Sequence, residues 1–197
     1  MNRETFLQTF SLFKPENYDV AALKRLPKDS GQFRKAGVLV GLVERPNGLH
    51  VVLTTRAKHL KHHGGQISFP GGKQEPWDNA PIDAALRETE EEIGIAPNNI
   101  DIVGSLPQYR TISGYNVSPF IGFVPAGLSL TLDNNEVDCV FEVPLSYLIN
   151  QQNHFTHWVT RNNRYHPVYF ISWQKYTIWG ATAVFVRTLS HHLSHTN

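Results

Sequence analysis

The alternation of apolar and polar residues predicts a chain of short strands and a few helices. Apolar residues recur at helical spacing near the amino terminus, which predicts a short amphipathic helix over residues 1–13. Two β-branched runs, 36–43 and 49–55, flank a Pro-Asn-Gly turn and predict a β-hairpin. The longest helical pattern covers residues 80–93 and is followed by Gly94, a residue type that commonly terminates helices.

The rest of the chain continues this mixture of strands and helices. Strands are predicted at 100–106, 117–124, 137–143, 154–159 and 169–173, and a last helix at 179–193. Since neither an internal repeat nor a low-complexity linker interrupts the pattern, we predict one α/β domain with a mixed sheet over residues 31–197. Residues 1–30 are predicted to form an N-terminal helix and a connecting arm. The last histidines are interpreted as a loose tail: His191, His192 and His195.

The composition narrows the classes of partner. The 197 residues include 18 Lys and Arg against 17 Asp and Glu, so the net charge of +1 gives no broad attraction to nucleic acid. No apolar run approaches the roughly 18 residues that a membrane span requires, so we expect no membrane partner. The single cysteine, Cys139, is typical of a reducing compartment, and we expect a cytoplasmic protein. The apolar face of the N-terminal helix is a candidate interface for a homo-oligomer.

The predicted helix over 80–93 carries a concentration of acid near its end. Four of the five residues 88–92 are glutamates, which repel one another and lie where the helix dipole disfavours negative charge. At about 100° per residue, Glu88 and Glu92 fall on one flank and Glu91 lies within reach of both, while Glu90 points away. Such a group suits a hard divalent cation, although a solvated acidic helix face is the plainer interpretation of these residues alone.

Two features near this helix favour a binding site. Gly71 and Gly72 precede it, and because they lack Cβ atoms they let the backbone pass close to a metal ion or a phosphate. Arg87 lies one turn before Glu91 and can hold that carboxylate in place. The glycines and the acidic helix together indicate a binding site much more specifically than either feature alone.

The sequence resembles the signature of Nudix hydrolases at four places: Gly72, Arg87-Glu88, Glu91-Glu92 and Gly94-Ile95. Asp78 stands where that signature has a glutamate, and eight residues instead of seven separate it from Arg87. The resemblance implies a Nudix-type α/β/α sandwich with a mixed β-sheet. It also implies an enzyme that cleaves a diphosphate with Mg²⁺ or Mn²⁺, in which the metal neutralises phosphate oxygens and activates water.

The same resemblance implies roles for individual residues. The catalytic and metal-binding residues that it implies are Arg87, Glu88, Glu91 and Glu92. Glu88 and Glu92 are expected to be the principal metal ligands, and Glu91 a third ligand or the base that takes the proton from water. The backbone of Gly71–Gly72 is expected to complete the site. Glu136 is the candidate for a further acid from a later loop, although an ordinary loop acid is the simpler interpretation.

The segment before the glycines resembles the motif of coenzyme A pyrophosphatases within this superfamily. Its residues are Leu53-Thr-Thr-Arg56-Ala57, Lys61, Gly65 and Phe69-Pro-Gly-Gly72, with Val52 and Lys61 replacing a leucine and an arginine. The resemblance implies hydrolysis of coenzyme A or a derivative to 4′-phosphopantetheine and adenosine 3′,5′-bisphosphate. Arg56 and Lys61 are then expected to bind the 3′-phosphate, as cations that cannot act as bases near neutral pH.

Two alternative functions stay open at this point. A Nudix hydrolase of ADP-ribose, a nucleotide sugar or another nucleoside diphosphate derivative has the same acidic helix, but it has no reason to carry the Arg56–Lys61 motif. A non-catalytic Nudix-like nucleotide-binding module normally lacks one or more of the glutamates. In this sequence Glu88, Glu91 and Glu92 are all present.

Overall fold

The computed structural model describes residues 1–12, 18, 21, 23, 33–161 and 164–194. The helices in this part of the chain are α1 (Arg3–Leu12), α2 (Pro81–Ile93), α3 (Leu145–Ile149) and α4 (Gly180–Leu193). The strands before α2 are β1 (Arg34–Arg45), β2 (Gly48–Arg56), β3 (Ile67–Ser68) and β4 (Gly71–Lys73). The later strands are β5 (Asp101–Ser105), β6 (Tyr109–Arg110), β7 (Tyr115–Val124), β8 (Val137–Pro144), β9 (His154–Arg161), β10 (Arg164–Trp173) and β11 (Tyr176–Trp179).

The larger sheet is mixed because two of its central strands, β1 and β7, run in the same direction. They pair in parallel from Arg34↔Tyr115 to Val43↔Val124. Antiparallel neighbours extend the sheet in the order β3-β2-β1-β7-β5, while β4, β6 and β8 join at β1, β7 and β2. The predicted hairpin is confirmed, since β1 pairs with β2 in antiparallel register through Arg45↔Gly48.

Both faces of this sheet are buried, which confirms the predicted α/β/α sandwich with a mixed β-sheet. Val40 and Leu42 of β1 belong to a core that also contains side chains of α1 and α4. Leu39 and Val43 belong to a second core, together with Ile93 of α2. Successive side chains of a strand point to opposite faces, so one strand supplies both cores.

Helix α2 begins and ends where the sequence pattern predicts. The Asp83 carboxylate accepts a hydrogen bond from the Ala80 N–H at 3.0 Å and so satisfies a donor at the helix start. At the other end Gly94 adopts φ 76° and its N–H donates to the Glu90 carbonyl. The helix packs on β1 and β4, which brings its acidic end beside the two glycines.

Strands β9, β10 and β11 form a second, antiparallel sheet. The predicted strands at 154–159 and 169–173 are present as β9 and β10, both longer than predicted. The sequence pattern does not predict β6, α3 or β11, since none of them is long enough to display a period of its own. None of the helices in the described ranges combines the length and the apolar character that crossing a membrane requires.

Helix α1 packs into the main core. Phe6 is fully buried and meets Phe123 edge-on, with ring centroids 5.7 Å apart, and Phe10 is 8% exposed. These two residues of the candidate homo-oligomer interface are thus covered by the chain itself, whereas Leu12 is 85% exposed, and the homo-oligomer stays a prediction. Phe13 and most of the connecting arm predicted up to residue 30 lie outside the described residues.

The interpretation of the last histidines as a loose tail is wrong for His191 and His192, because both residues belong to α4. His192 is 3% exposed. Its Nε2 lies 3.0 Å from the Phe10 carbonyl oxygen, and its Nδ1 lies 2.6 Å from the Tyr18 hydroxyl. These partners are far away in sequence, so a local pattern does not reveal them. His195 lies outside the described residues.

Candidate active site

Glu88 and Glu92 lie one turn apart on the flank of α2 that faces β4. Glu92 has a side chain only 2% exposed, with Oε1 accepting from Arg56 Nη1 and Oε2 from the Gly71 N–H, both at 3.3 Å. Glu88 has a side chain 15% exposed and accepts from Arg87 Nη1 at 2.9 Å. The two glutamates predicted to share a flank therefore do so, and Glu92 lies deeper than Glu88.

Glu136 reaches the same place from the loop before β8. Its carboxylate and those of Glu88 and Glu92 offer ligand oxygens that all lie within 4.8 Å of one another. We call these three residues the acid cluster. The pairing of β2 with β8 sets Val137 opposite Arg56, and the N–H of the next residue, Ala57, donates to the Glu136 carbonyl at 2.8 Å. Sheet register thus fixes the backbone of Glu136 beside the end of β2.

The loop that carries Glu136 is also fastened to the end of α2. The Thr131 N–H donates to the Ile93 carbonyl at 3.2 Å, and the Asp133 N–H donates to the Glu92 carbonyl at 3.1 Å. Carbonyls in the last turn of a helix have no partner within the helix, so these amides satisfy them. The loop therefore carries Glu136 to the α2 glutamates, where the further acid is expected, and its role stays a prediction.

The acid cluster is electrostatically costly in the absence of a cation. Burial raises the pKa of Glu92 to about 8; the Arg56 charge and the Gly71 N–H oppose that rise, and Glu88 and Glu136 add to it. Burial is also the main reason why the pKa of Glu88 is raised. Carboxylate oxygens are the ligands that hard divalent cations prefer, and a cation relieves the repulsion among them. The donor set therefore fits Mg²⁺ or Mn²⁺.

Arg87 links the acids of α2 to the preceding loop. Its Nε and Nη2 donate to the two carboxylate oxygens of Asp78 at 3.2 and 3.0 Å. Its Nη1 donates at 2.9 Å to both Glu88 and Glu91. The contact between Arg87 and Glu91 that the one-turn spacing predicts is thus present. Asp78 is 8% exposed, and its hydrogen bonds from Arg87 lower the pKa of its carboxyl, so Asp78 holds Arg87 as an ion pair.

The two glycines of β4 lie where the chain passes close to its neighbours, Gly71 to the backbone of β1 and Gly72 to the Glu88 side chain of α2. A Cβ at Gly72 would lie 2.4 Å from the carboxylate carbon of Glu88, which is shorter than any real contact. Gly71 has φ 143°, a conformation that residues with side chains rarely adopt, and its N–H points to Glu92. The glycines thus allow the backbone to approach both metal-ligand candidates of the helix.

A cavity of about 620 Å³ lies beside the acid cluster. The residues of the sequence-based prediction that line it are Arg56, Gly71, Gly72, Arg87, Glu88, Glu91 and Glu136. The Glu91 side chain is 59% exposed, and Glu90 is exposed as predicted. Lys61 lies exposed on the loop between β2 and β3 and is not among the lining residues.

The sequence does not predict the other lining residues, among which Lys73, Trp77 and Tyr115 are the basic and aromatic ones. Trp77 is 70% exposed. One signal for it exists in the sequence, because a large aromatic residue stands between the glycines and the acidic helix, in a segment with no apolar periodicity. Lys73 and Tyr115 reach the cavity only through the pairing of β4 and β7 with β1, which the sequence does not display.

Comparison with known proteins agrees with this geometry. The family model described as the NUDIX domain matches residues 34–170, which include β1, the glycines, α2 and Glu136. The chain belongs to the Nudix family. It is a Nudix hydrolase, an enzyme that cleaves a diphosphate. The residues matched by the family model end before α4.

Relatives of similar length carry the same family name. The chain is 35% identical over 188 residues to the Nudix hydrolase NudL of Escherichia coli O7:K1, covering 95% of this chain and 92% of the relative. The NudL of Shigella boydii serotype 4 matches with the same identity and coverage. Among solved structures, a C. elegans Ap4A hydrolase complex has a TM-score of 0.49 at 19% identity, covering 56% of this chain and 80% of that one. The Nudix hydrolase RenU of M. smegmatis has a TM-score of 0.49 at 21% identity, covering 57% and 71%.

Proposed function

We propose that this Nudix hydrolase cleaves the diphosphate of coenzyme A or a derivative, giving 4′-phosphopantetheine and adenosine 3′,5′-bisphosphate. The observation that carries the proposal is a contact between the segment resembling coenzyme A pyrophosphatases and the acid cluster. Two residues of that segment donate hydrogen bonds to the Glu92 carboxylate: Arg56 through its guanidinium and Gly71 through its backbone N–H. The segment is therefore part of the catalytic cavity and is not merely its neighbour in sequence.

We assign Mg²⁺ or Mn²⁺ binding to Glu88 and Glu92, with Glu91 or Glu136 as the third carboxylate. The distances favour Glu136, because its oxygens converge with those of the two α2 glutamates. When bound, a divalent ion neutralises the diphosphate oxygens and lowers the pKa of water. The buried Glu92 must lose its proton to accept such an ion, so metal binding releases a proton.

With Glu136 as the third carboxylate ligand, Glu91 is available for proton transfer. Glu91 lines the cavity, is 59% exposed and accepts a hydrogen bond from Arg87. A carboxylate held in this way accepts the proton of the attacking water without being consumed as a ligand. Arg87, fixed by Asp78, bridges Glu88 and Glu91 through Nη1 and so orients both carboxylates.

We assign substrate binding to Arg56 and to the backbone of Gly71 and Gly72, which line the cavity. The planar guanidinium of Arg56 matches two phosphate oxygens, and its side chain is 26% exposed. Lys61 is the second cation of the motif, and its exposed position outside the cavity lining makes its part in 3′-phosphate binding a separate test.

The surroundings of the site complete the proposal. Residues 31–197 are taken as one Nudix domain, supported by the packing of α4 into the same core as β1. We also propose a cytoplasmic location, supported by the single cysteine, Cys139, which suits a reducing compartment.

A substrate panel tests the proposal directly. Purified protein with Mg²⁺ is incubated with coenzyme A, 3′-dephospho-coenzyme A, ADP-ribose and a nucleotide sugar, and products are identified by mass spectrometry. The expected result is a higher kcat/KM for coenzyme A than for the other compounds, with the two half-molecules as products. Reaction in ¹⁸O water identifies which phosphorus is attacked. Preferred cleavage of ADP-ribose, or inorganic phosphate as the first product, would overturn the coenzyme A assignment.

A further inference from the structure

One part of the cavity carries aromatic and cationic side chains that the diphosphate chemistry does not use. Trp77 and Lys73 line it from the segment that follows the glycines, and Tyr115 lines it from β7. Trp77 is 70% exposed and the Lys73 side chain is 54% exposed. A cavity lined both by the carboxylates of the acid cluster and by aromatic and basic side chains suits a substrate with chemically different halves.

Sheet register places Lys73 and Tyr115 beside a further cation, Arg34. Ala36 of β1 lies between Lys73 of β4 and Val117 of β7, and two residues earlier Arg34 pairs with Tyr115. Paired residues, and residues two apart on a strand, share a face of the sheet, so the five side chains share one face. The guanidinium carbon of Arg34 lies 4.1 Å from the centroid of the Tyr115 ring.

The two cations retain donors for a ligand. The Lys73 ammonium lies 2.8 Å from a Glu75 carboxylate oxygen. This contact uses one of the three ammonium hydrogen atoms and leaves two for a ligand. That hydrogen bond raises the pKa of Lys73, and the charge of Arg34 opposes the rise, so the two cations act on each other. Arg34 is exposed and has no carboxylate partner among the described residues. A pair of such cations attracts a doubly charged phosphate more than either does alone.

We propose that the phosphorylated nucleoside half of the substrate binds at a subsite formed by Arg34, Lys73, Trp77 and Tyr115. The base stacks on Trp77, and the 3′-phosphate on the ribose binds to Arg34 and Lys73. Aromatic faces and neighbouring cations are the two elements by which proteins hold single nucleotides. This inference rests on the proposed function, and it moves 3′-phosphate recognition away from Arg56, which already donates to Glu92.

Calorimetric titration with product nucleotides in the presence of Mg²⁺ tests the phosphate contacts. Wild type should bind adenosine 3′,5′-bisphosphate more tightly than AMP, which lacks the 3′-phosphate. Arg34→Gln and Lys73→Met should each weaken binding of the bisphosphate by about 10- to 150-fold and that of AMP much less. Lys35→Met is the matched control, since Lys35 is the next residue of β1, is exposed and points to the opposite face.

A second pair of variants tests the stacking contact. Trp77→Ala should weaken both nucleotides alike, by about 5- to 150-fold, because every base has a face to stack. Trp158→Ala is the control, since Trp158 is a similarly exposed tryptophan (55%) that does not line the cavity. Thermal melting of each variant confirms that the fold is retained.

The outcomes separate this subsite from the proposed function. If wild type cleaves coenzyme A but Arg34→Gln and Lys73→Met bind the bisphosphate normally, the subsite is wrong and the function stands. If these variants lose the bisphosphate while ADP-ribose is the better substrate, the subsite stands and the coenzyme A assignment fails. If wild type shows no measurable binding of the bisphosphate, or if Trp77→Ala binds both nucleotides as tightly as wild type, the subsite is wrong.

Discussion

The acid cluster and the proposed nucleotide subsite differ in how far their side chains are exposed. In the acid cluster, the Glu92 and Glu88 side chains are 2% and 15% exposed and have fixed partners. In the proposed nucleotide subsite, Trp77 is 70% exposed and the Lys73 side chain 54%. Buried charges interact strongly because little water screens them, whereas exposed charges interact weakly.

This difference separates the residues that we propose for chemistry from those that we propose for substrate recognition. The acids of α2 are held by hydrogen bonds from Arg56, Gly71 and Arg87, so a change there alters the geometry of the reacting groups. The subsite has few internal contacts, so changes there should alter affinity for the substrate with little effect on the metal site. Variants of the acid cluster should therefore lower kcat, and variants of the subsite should raise KM.

The largest effect is expected for removal of a charge from the acid cluster. Glu88→Gln and Glu92→Gln should each lower kcat by about 10³-fold or more, because the bound metal supplies several kcal/mol of transition-state stabilisation. Glu90→Gln is the matched control on the same helix and should leave kcat nearly unchanged, since Glu90 is exposed on another flank. Steady-state kinetics with Mg²⁺ measures all three. Equal losses for Glu88→Gln and Glu90→Gln would contradict the assignment.

A smaller loss of kcat is expected when a side chain is added at Gly72 of β4. In Gly72→Ala the new Cβ would lie 2.4 Å from the Glu88 carboxylate carbon, so the carboxylate must move. A displacement of about 1 Å in a catalytic group costs on the order of 10²-fold in rate. The expected result is a fall in kcat of that size with a melting temperature close to wild type. Unchanged kcat would show that Glu88 works from a different position.

The third effect concerns the ion pair between Asp78 and Arg87. Asp78→Asn weakens the ion pair that fixes Arg87, which in turn orients Glu88 and Glu91. Loss of such an outer contact typically lowers metal affinity or activity by about 10- to 100-fold. Titration with Mn²⁺ should show the weaker affinity. Asp138→Asn, a change at an exposed acid of β8, is the control and should bind Mn²⁺ normally.

The sequence predicts the acidic helix well because its determinants are local. A 3.6-residue period, the terminal Gly94 and the spacing of Glu88 and Glu92 all lie within one segment, and each is found in the structure. The two glycines are likewise placed by a short motif. Local determinants therefore account for the acidic helix and for the glycines beside it.

Residues that arrive from distant segments are less predictable. Glu136 joins the acid cluster because β8 pairs with β2 and its loop binds the end of α2. Tyr115 and Lys73 meet across β1 for a similar reason. Motif spacing also drew attention to Lys61, but spacing does not show which way a loop faces. Strand order and loop direction are set by packing of the whole domain, which a single sequence does not display.

The smallest effect concerns stability without metal. Burial raises the pKa of Glu92 from 4.5 to about 8, so the folded, metal-free protein keeps a proton that the unfolded chain releases above about pH 4.5. Since the unfolded state binds fewer protons in this window, stability falls as the pH rises from about 4.5 to 8. In Glu92→Gln this contribution is absent, because glutamine does not titrate.

Melting curves in EDTA between pH 5.5 and 8 measure this contribution. Wild type should lose several degrees more than Glu92→Gln over the range, since each kcal/mol corresponds to about 2–4 °C in a chain of this size. Added Mg²⁺ should reduce the difference at pH 8, because an ion that binds only the folded state opposes the loss. Parallel curves for the two proteins would show that Glu92 already carries its charge in the metal-free fold. The acid cluster would then differ from the subsite in burial but not in protonation.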